Sequence, residues 1–157
     1  LQYINQIIRD REIDKEYMTI VAWEMPDHLI CEKSIEKVYS KKFGSSRMMV
    51  DPAGQTAKSE FWNIKTVENF VLWAISCVKV KLYTGRMHQI RIHLASEWFS
   101  ILGDIIYGSA MINRKLYKQL KINRQVLHCS KYSFKNIDGK NIFFEANLPG
   151  DFDKIMT

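Results

Sequence analysis

The 157-residue sequence contains only three cysteines, Cys31, Cys77 and Cys129, which stand far apart and form no C-x-x-C pair. An odd number of widely separated cysteines does not indicate a disulfide framework. The pattern favours reduced and mostly buried thiols, which are typical of cytosolic proteins. We therefore expect a cytoplasmic location.

The sequence also lacks a long hydrophobic run. Its longest apolar stretch, residues 70–78, is interrupted by Ser76 and is too short to span a bilayer. A charged start followed by an apolar run and a small-residue cleavage site is absent, so no signal peptide is indicated. A strongly amphipathic basic helix, which binding to a membrane surface would need, is not present either. We expect no membrane partner.

The composition is typical of one globular domain. Hydrophobic residues make up 46% and charged residues 25% of the 157, enough for one core and too few residues for two ordinary domains. The net charge of +6 favours an anionic partner, RNA or DNA first, although charge alone is weak support. Because the sequence starts at Leu1 and runs straight into an amphipathic segment, we expect it to be a piece of a longer protein.

Hydrophobic periodicity predicts helices and strands in an order typical of an α+β protein. Residues 1–11 predict the end of an amphipathic helix, and residues 15–23, apolar on both alternating faces, predict a central strand. Further predictions are strands at 28–32, 57–67, 70–82, 125–134 and 141–146, a surface helix at 113–121, and hairpin turns at Asn69 and at Asp138-Gly139. This order indicates a sheet that is largely antiparallel.

Residues 35–49 are polar, basic and without clear periodicity. Their Gly-Ser-Ser centre is flanked by four cations, Lys37, Lys41, Lys42 and Arg47. A solvated loop and a mobile RNA-contacting loop fit this pattern equally well.

The most informative stretch is residues 82–107, LYTGRMHQIRIHLASEWFSILGDIIY. Thr84 and Gly85 end an apolar strand, and Gly85 can take a positive φ without a Cβ penalty, which allows a sharp turn. A helix is predicted to follow, because apolar residues recur at helical spacing. Its expected buried stripe is Met87, Ile90, Leu94 and Ala95, with His88, Arg91 and Trp98 on another side.

A helix start beside arginines suits an anionic ligand. Unpaired N–H groups at the helix N-terminus and the planar guanidinium fork both bind phosphate or carboxylate. The alternative is more frequent, since arginines on a half-exposed helix are usually solvated. Spacing alone therefore leaves both possibilities open.

The run from Thr84 to Leu94, TGRMHQIRIHL, resembles the T-G-R-x-H-Q-I-R-x-H signature of the RluA family of RNA pseudouridine synthases. Further segments resemble the same family in chain order: KEY at 15–17, RMMVDPAGQTA at 47–57, ILGD and YG between 101 and 108, RQVLHC at 124–129, and LPGDF at 148–152. Gln55 stands where a lysine is common in the family.

The resemblance implies a fold and the part of that fold that this sequence would form. We expect an α+β pseudouridine synthase fold, with a mixed, largely antiparallel sheet and flanking helices. Residues 1–157 would form the C-terminal part of one catalytic domain that is incomplete at its N-terminus. The expected activity is isomerisation of uridine to pseudouridine, in 23S ribosomal RNA of the large subunit, without a cofactor.

The resemblance also implies roles for individual residues. Tyr17 would stack against the target base and assist in moving a proton, whereas the residue type alone favours an ordinary core tyrosine. Arg91 would pair with the catalytic aspartate and keep it ionised. Arg86 and Arg124 are expected to bind RNA phosphates. For His88 and Gln89, RNA-base contact and an internal hydrogen bond are equally open.

The family's nucleophilic aspartate lies in an R-L-D-x-x-T-S-G motif, and that motif is absent from these 157 residues. The aspartates at positions 10, 14, 27, 51, 104, 138, 151 and 153 all lack this setting. We therefore expect Arg91 to have lost its partner, and the isolated chain to bind RNA without isomerising uridine. The missing N-terminal segment would be a partner in the complete protein.

Two other functions remain open. One is a non-catalytic RNA-binding protein derived from the truncated fold, and the other is a basic structural protein with no RNA role. A metal site is not expected, because the spacing of five between His88 and His93 takes them off a common helical face and no third ligand is near.

Overall fold

The computed structural model describes residues 2–10, 12–40, 44–69 and 73–157. The described residues form helices α1 (Gln2–Arg9), α2 (Gln89–Ser96), α3 (Ala110–Leu120) and α4 (Gly150–Met156). The strands are β1 (Asp14–Ala22), β2 (His28–Cys31), β3 (Ile35–Ser40), β4 (Ser45–Val50), β5 (Ser59–Asn69), β6 (Trp73–Leu82), β7 (Leu127–Lys135) and β8 (Asn141–Glu145).

Six of these strands form one sheet in the order β2-β5-β6-β1-β7-β8, and β3 pairs with β4 in a separate two-stranded sheet. Every described strand pair is antiparallel. The predicted α+β class, with a largely antiparallel sheet and flanking helices, is confirmed. In the described part of the chain, no helix is long and apolar enough to cross a membrane.

Strand β1 is central and covered on both faces, as its apolar alternation predicts. On one face Ile20 and Ala22 join a buried cluster with residues of α3 and α4. On the other face Val21 joins a second buried cluster to which α2 contributes Ile90 and Leu94. The alternation of the strand thus fixes α2 on one face of the sheet and α3 with α4 on the other.

The expectation of irregular structure at residues 35–49 is wrong, because β3 and β4 form a regular hairpin there with Lys37 opposite Met48. Of the side chains described in this segment, only Ile35 and Met48 are buried, in a small cluster with Ala57. Two buried side chains among exposed ones do not produce a readable alternation, which explains why the segment looks like a loop. Lys41 and Lys42 lie outside the described residues.

The remaining differences concern where elements begin and end. The last residue pair between strands β5 and β6 is Asn69 with Trp73. A turn is predicted at Asn69, and residues 70–72 that follow it lie outside the described residues. Helix α4 is absent from the sequence predictions, although Pro149 precedes it and Phe152 and Ile155 form its buried face. Seven residues with two apolar anchors give too short a pattern to identify a helix.

Helix α2 begins later than predicted. Gly85 does not have a positive φ; the left-handed residue is His88, with φ 56° immediately before the helix. Met87 therefore precedes the helix and is 47% exposed, so it is not part of the buried stripe. The buried residues of α2 are Gln89, Ile90, His93 and Leu94.

Candidate functional site

The side chain of Gln89 fastens the first turn of α2 to strand β5. It is 2% exposed, and its Nε2 donates to the carbonyl of Lys58 at 3.0 Å and to Ser59 Oγ at 2.9 Å. Its Oε1 accepts from Thr84 Oγ1 at 2.8 Å and from the backbone N–H of Arg86 at 3.0 Å. Of the two possibilities for Gln89, the structure contains the internal hydrogen bonds.

His93 continues this internal network on the next turn. It is fully buried, with Nδ1 2.9 Å from Ser59 Oγ and Nε2 2.8 Å from the carbonyl of Lys33. A carbonyl only accepts, so Nε2 carries the proton, and Nδ1 accepts from the Ser59 hydroxyl. Burial lowers the pKa of His93 and favours this neutral form.

Arg91 has a carboxylate partner, and the expectation that it lacks one is wrong. Its Nε donates to Asp104 Oδ2 at 2.7 Å and its Nη2 donates to Asp104 Oδ1 at 2.8 Å. The two side chains are only 11% and 1% exposed. Asp104 belongs to the ILGD segment, 13 positions after Arg91. Neither motif by itself predicts that these two side chains pair.

The carboxylate of Asp104 is saturated with donors. Besides Arg91, its Oδ1 accepts from the backbone N–H groups of Ile106 at 2.9 Å and Tyr107 at 3.0 Å. Burial by itself would raise the pKa of Asp104, but the hydrogen bonds from Arg91, Tyr107 and Ile106 outweigh it and hold this pKa below its ordinary value. Asp104 therefore stays ionised and keeps the guanidinium of Arg91 in one orientation.

Tyr107, which sequence reasoning did not single out, joins Arg91 to its surroundings. Its ring centroid lies 5.0 Å from Cζ of Arg91, in the arrangement of a cation–π contact. Its hydroxyl accepts from the backbone N–H of Met48 in β4 at 3.0 Å and lies 3.0 Å from Nδ1 of His88. Burial and the nearby charge of Arg91 lower the pKa of His88, so its imidazole favours the neutral form.

Tyr17 projects from β1 toward the face of the sheet that α2 covers. It is partly buried against the cluster that contains Ile90 and Leu94 of α2. Burial, followed by the nearby Cys129 and Tyr132, raises the pKa of the Tyr17 hydroxyl. Tyr17 and Arg91 thus lie on the same side of the sheet, with Ile90, the residue before Arg91, in the cluster that Tyr17 contacts.

The two arginines assigned to RNA phosphates differ in their surroundings. Arg86 lies at the turn before α2, where its Nε donates to the carbonyl of Thr56 at 3.3 Å. Arg124 pairs with Asp151 of α4 at 2.6 Å, while its own carbonyl packs against Gly103, next to Asp104. A Cβ built on Gly103 would come within 1.9 Å of that carbonyl, so the approach needs glycine.

Within the described ranges, no three His, Cys, Asp or Glu side chains lie close enough together to hold a metal ion. His88 and His93 contact different partners, the first Tyr107 and the second Ser59 and Lys33. The polar network around α2 is made of hydrogen bonds and of ion pairs, including Arg91 with Asp104 and Lys33 with Glu97.

Comparison with known proteins gives consistent matches. Residues 1–96 match the family described as RNA pseudouridylate synthase. The chain is 30% identical to ribosomal large subunit pseudouridine synthase D of Zymomonas mobilis, over 94% of this chain and 45% of that protein. It is also 30% identical to ribosomal large subunit pseudouridine synthase C of Buchnera aphidicola from Acyrthosiphon pisum, over 98% of this chain and 48% of that protein. The chain therefore spans about half the length of these curated relatives.

Two solved structures share the fold. Human RNA pseudouridylate synthase domain containing 1 superimposes with a TM-score of 0.80 at 15% identity, over 98% of this chain and 62% of that one. Human RNA pseudouridylate synthase domain containing 4 gives a TM-score of 0.68 at 18% identity, over 97% and 64% of the two chains. At these identities the likeness concerns the fold.

Proposed function

Because this chain belongs to the RNA pseudouridylate synthase family, we propose that the complete protein isomerises uridine to pseudouridine, with large-subunit ribosomal RNA as its substrate. Two relatives named for the large ribosomal subunit support the choice of RNA. The net charge of +6 suits a polyanionic substrate.

The reaction breaks the N-glycosidic bond, turns the base and rejoins it to the sugar through carbon. It requires a carboxylate that acts as a nucleophile or stabilises developing positive charge, and a surface against which the base is held. Tyr17 is suited to hold the base, since its flat ring lies on the face of the sheet that carries α2. Burial raises the pKa of its hydroxyl, which therefore stays protonated near neutral pH and can donate a hydrogen bond.

The observation that carries the proposal is the fixed guanidinium of Arg91. Of its five N–H groups, Asp104 engages one on Nε and one on Nη2, which leaves three for a further anion. A positive charge held rigidly by a buried partner is suited to keep a second carboxylate ionised and oriented. We assign that role to Arg91.

The second carboxylate is proposed to come from a segment outside the 157 residues. The R-L-D-x-x-T-S-G motif is not in this sequence, and Asp104 is saturated by Arg91 and two backbone N–H groups. In this proposal the isolated chain binds RNA and does not isomerise uridine.

RNA contacts are proposed at the turn before α2 and around it. Arg86 keeps N–H groups for phosphate beyond its contact with the carbonyl of Thr56. Arg124 and His88 are partly engaged, with Asp151 and Tyr107, so RNA contact would use their remaining donors or displace those partners. Gln89 has the internal role, because its amide groups are buried and hydrogen bonded.

The test compares the 157-residue chain with the product of the complete open reading frame on unmodified large-subunit ribosomal RNA. Mass spectrometry of nucleosides after digestion measures pseudouridine directly. We expect conversion by the complete product, and RNA binding that weakens with salt but no conversion by the chain. Conversion by the chain alone would refute the assignment of the carboxylate to an outside segment. Binding without conversion by both proteins would favour the non-catalytic RNA-binding alternative.

A further inference from the structure

The side chain of Tyr107 contacts Arg91, the residue before α2 and the β3–β4 hairpin. Its ring lies 5.0 Å from Arg91 Cζ, and its hydroxyl lies 3.0 Å from both His88 Nδ1 and the backbone N of Met48. Its own backbone N–H donates to Asp104, the partner of Arg91. Three separate segments of the chain therefore meet at one phenol.

The direction of these hydrogen bonds follows from the donors available. The backbone N–H of Met48 only donates, so the Tyr107 oxygen accepts from it. The hydroxyl proton is then free to be donated to Nδ1 of His88, whose neutral form is favoured by burial and by Arg91. The hydroxyl thus accepts from Met48 and can donate to His88, so one oxygen connects the two residues.

The β3–β4 hairpin also packs against the body of the protein through side chains. Among its described residues, Ile35 and Met48 are buried; they form a small cluster with Ala57 and pack against Ile92 of α2 and Tyr107. The exposed residues of the hairpin include Tyr39 at 63% and Met49 at 52%. A hairpin with exposed apolar residues and Lys37 is suited to contact RNA, and the small cluster connects the hairpin to α2.

We propose that Tyr107 is a positioning residue for Arg91, and that its hydroxyl couples the seating of the β3–β4 hairpin to the orientation of the Arg91 guanidinium. Asp104 holds the guanidinium of Arg91 from one side with two hydrogen bonds. The Tyr107 ring limits the movement of the guanidinium on a second side. Loss of the hydroxyl leaves the ring in place but releases Met48 and His88. The expected effect of Tyr107 on catalysis rests on the proposed function, whereas the structural coupling does not.

The first experiment needs no enzymatic activity. In the 157-residue chain, Tyr107→Phe is expected to accelerate hydrogen exchange at the Met48 amide and at Arg91 Nε–H, each roughly tenfold, because one hydrogen bond is lost and the other loosened. Tyr117→Phe, on the exposed side of α3, is the matched control and should change neither. Unchanged exchange at Arg91 Nε–H in Tyr107→Phe would overturn the coupling, whatever the protein catalyses.

The second experiment uses the complete open reading frame product and ribosomal RNA. Tyr107→Phe is expected to lower kcat roughly 10- to 100-fold with KM changed by less than about threefold, because the substrate still binds while Arg91 is misplaced. A kcat equal to that of Tyr117→Phe would overturn the positioning role. If the wild-type product converts no uridine, the proposed function fails, and the exchange experiment alone decides the coupling.

Discussion

At the scale of single residues, the ion pair between Arg91 and Asp104 is the most constrained feature of the site. Both side chains are almost fully buried, and the carboxylate accepts two further backbone hydrogen bonds. Removing one partner of such a pair leaves an uncompensated buried charge, which costs far more than the intact pair contributes. The pair is therefore a determinant of stability as well as of the orientation of Arg91.

Replacing Asp104→Asn should destabilise the 157-residue chain by about 3 kcal/mol, since Arg91 keeps its charge and loses its counterion. Urea unfolding followed by circular dichroism measures the change. Asp27→Asn, at an exposed position, is the control and should be within about 0.5 kcal/mol of wild type. Equal stability of the two variants would show that the pair does not hold the site together.

His93 makes the stability depend on pH. Its pKa in the folded protein is lowered by burial, while the unfolded chain titrates near the ordinary value of about 6.5. The unfolded state then binds more protons below that pH, so this contribution to stability is full above about 6.5 and is lost as pH falls toward the folded pKa. His88 acts in the same direction.

We expect the urea midpoint of the wild-type chain to fall between pH 7.5 and pH 5.5, and His93→Gln to reduce that dependence. The variant will be less stable at pH 7.5, because it replaces a buried and hydrogen-bonded ring. The informative quantity is therefore the change in urea midpoint between pH 7.5 and pH 5.5, measured separately for each protein. The same difference in wild type and variant would exclude His93 as a source of the pH dependence.

At the scale of elements, the sequence predicts the strands of the large sheet better than the segments around the site. Strand β1 is identifiable because both of its alternating faces are apolar, and the Asp138-Gly139 turn marks the β7–β8 hairpin. The β3–β4 hairpin is missed because few of its side chains are buried. The start of α2 is missed because the left-handed backbone of His88 follows from tertiary contacts, including its bond to Tyr107.

The packing of Gly54 against the base of the β3–β4 hairpin can be tested by substitution. Ile35 and Gln55 exchange two backbone hydrogen bonds of 2.9 Å, and a Cβ on Gly54 would meet the backbone of Ile35 at 2.6 Å. Gly54→Ala should therefore destabilise the chain by about 1–3 kcal/mol through overpacking. Thermal or urea unfolding measures it, with chemical-shift changes expected to centre on the hairpin.

Gly85→Ala is the matched control, because a Cβ there meets no atom within 4 Å and its φ is not positive. It should be tolerated, because the backbone at position 85 does not use the left-handed conformation that glycine allows. A larger loss of stability in Gly85→Ala than in Gly54→Ala would contradict the described backbone at both turns.

At the scale of the whole molecule, one face of a six-stranded sheet carries Tyr17 and the helix of Arg91, while α3 and α4 cover part of the other. Sequence reasoning identified these two residues from motifs and predicted the α+β class. It did not identify Asp104 as the partner of Arg91, since that pairing depends on the loop after Ile101 folding back onto α2. The chain thus places Tyr17 and an arginine that Asp104 holds in one orientation on the same side of the sheet.

The most direct measurement follows tritium release from RNA labelled at C5 of uridine, because C5 loses its hydrogen when it bonds to the sugar. For the complete open reading frame product, we expect release by the wild type and a loss of at least about 100-fold in Arg91→Gln, with RNA affinity reduced far less. Release by Arg91→Gln at the wild-type rate would contradict the assignment of Arg91, and with it the central claim about this site.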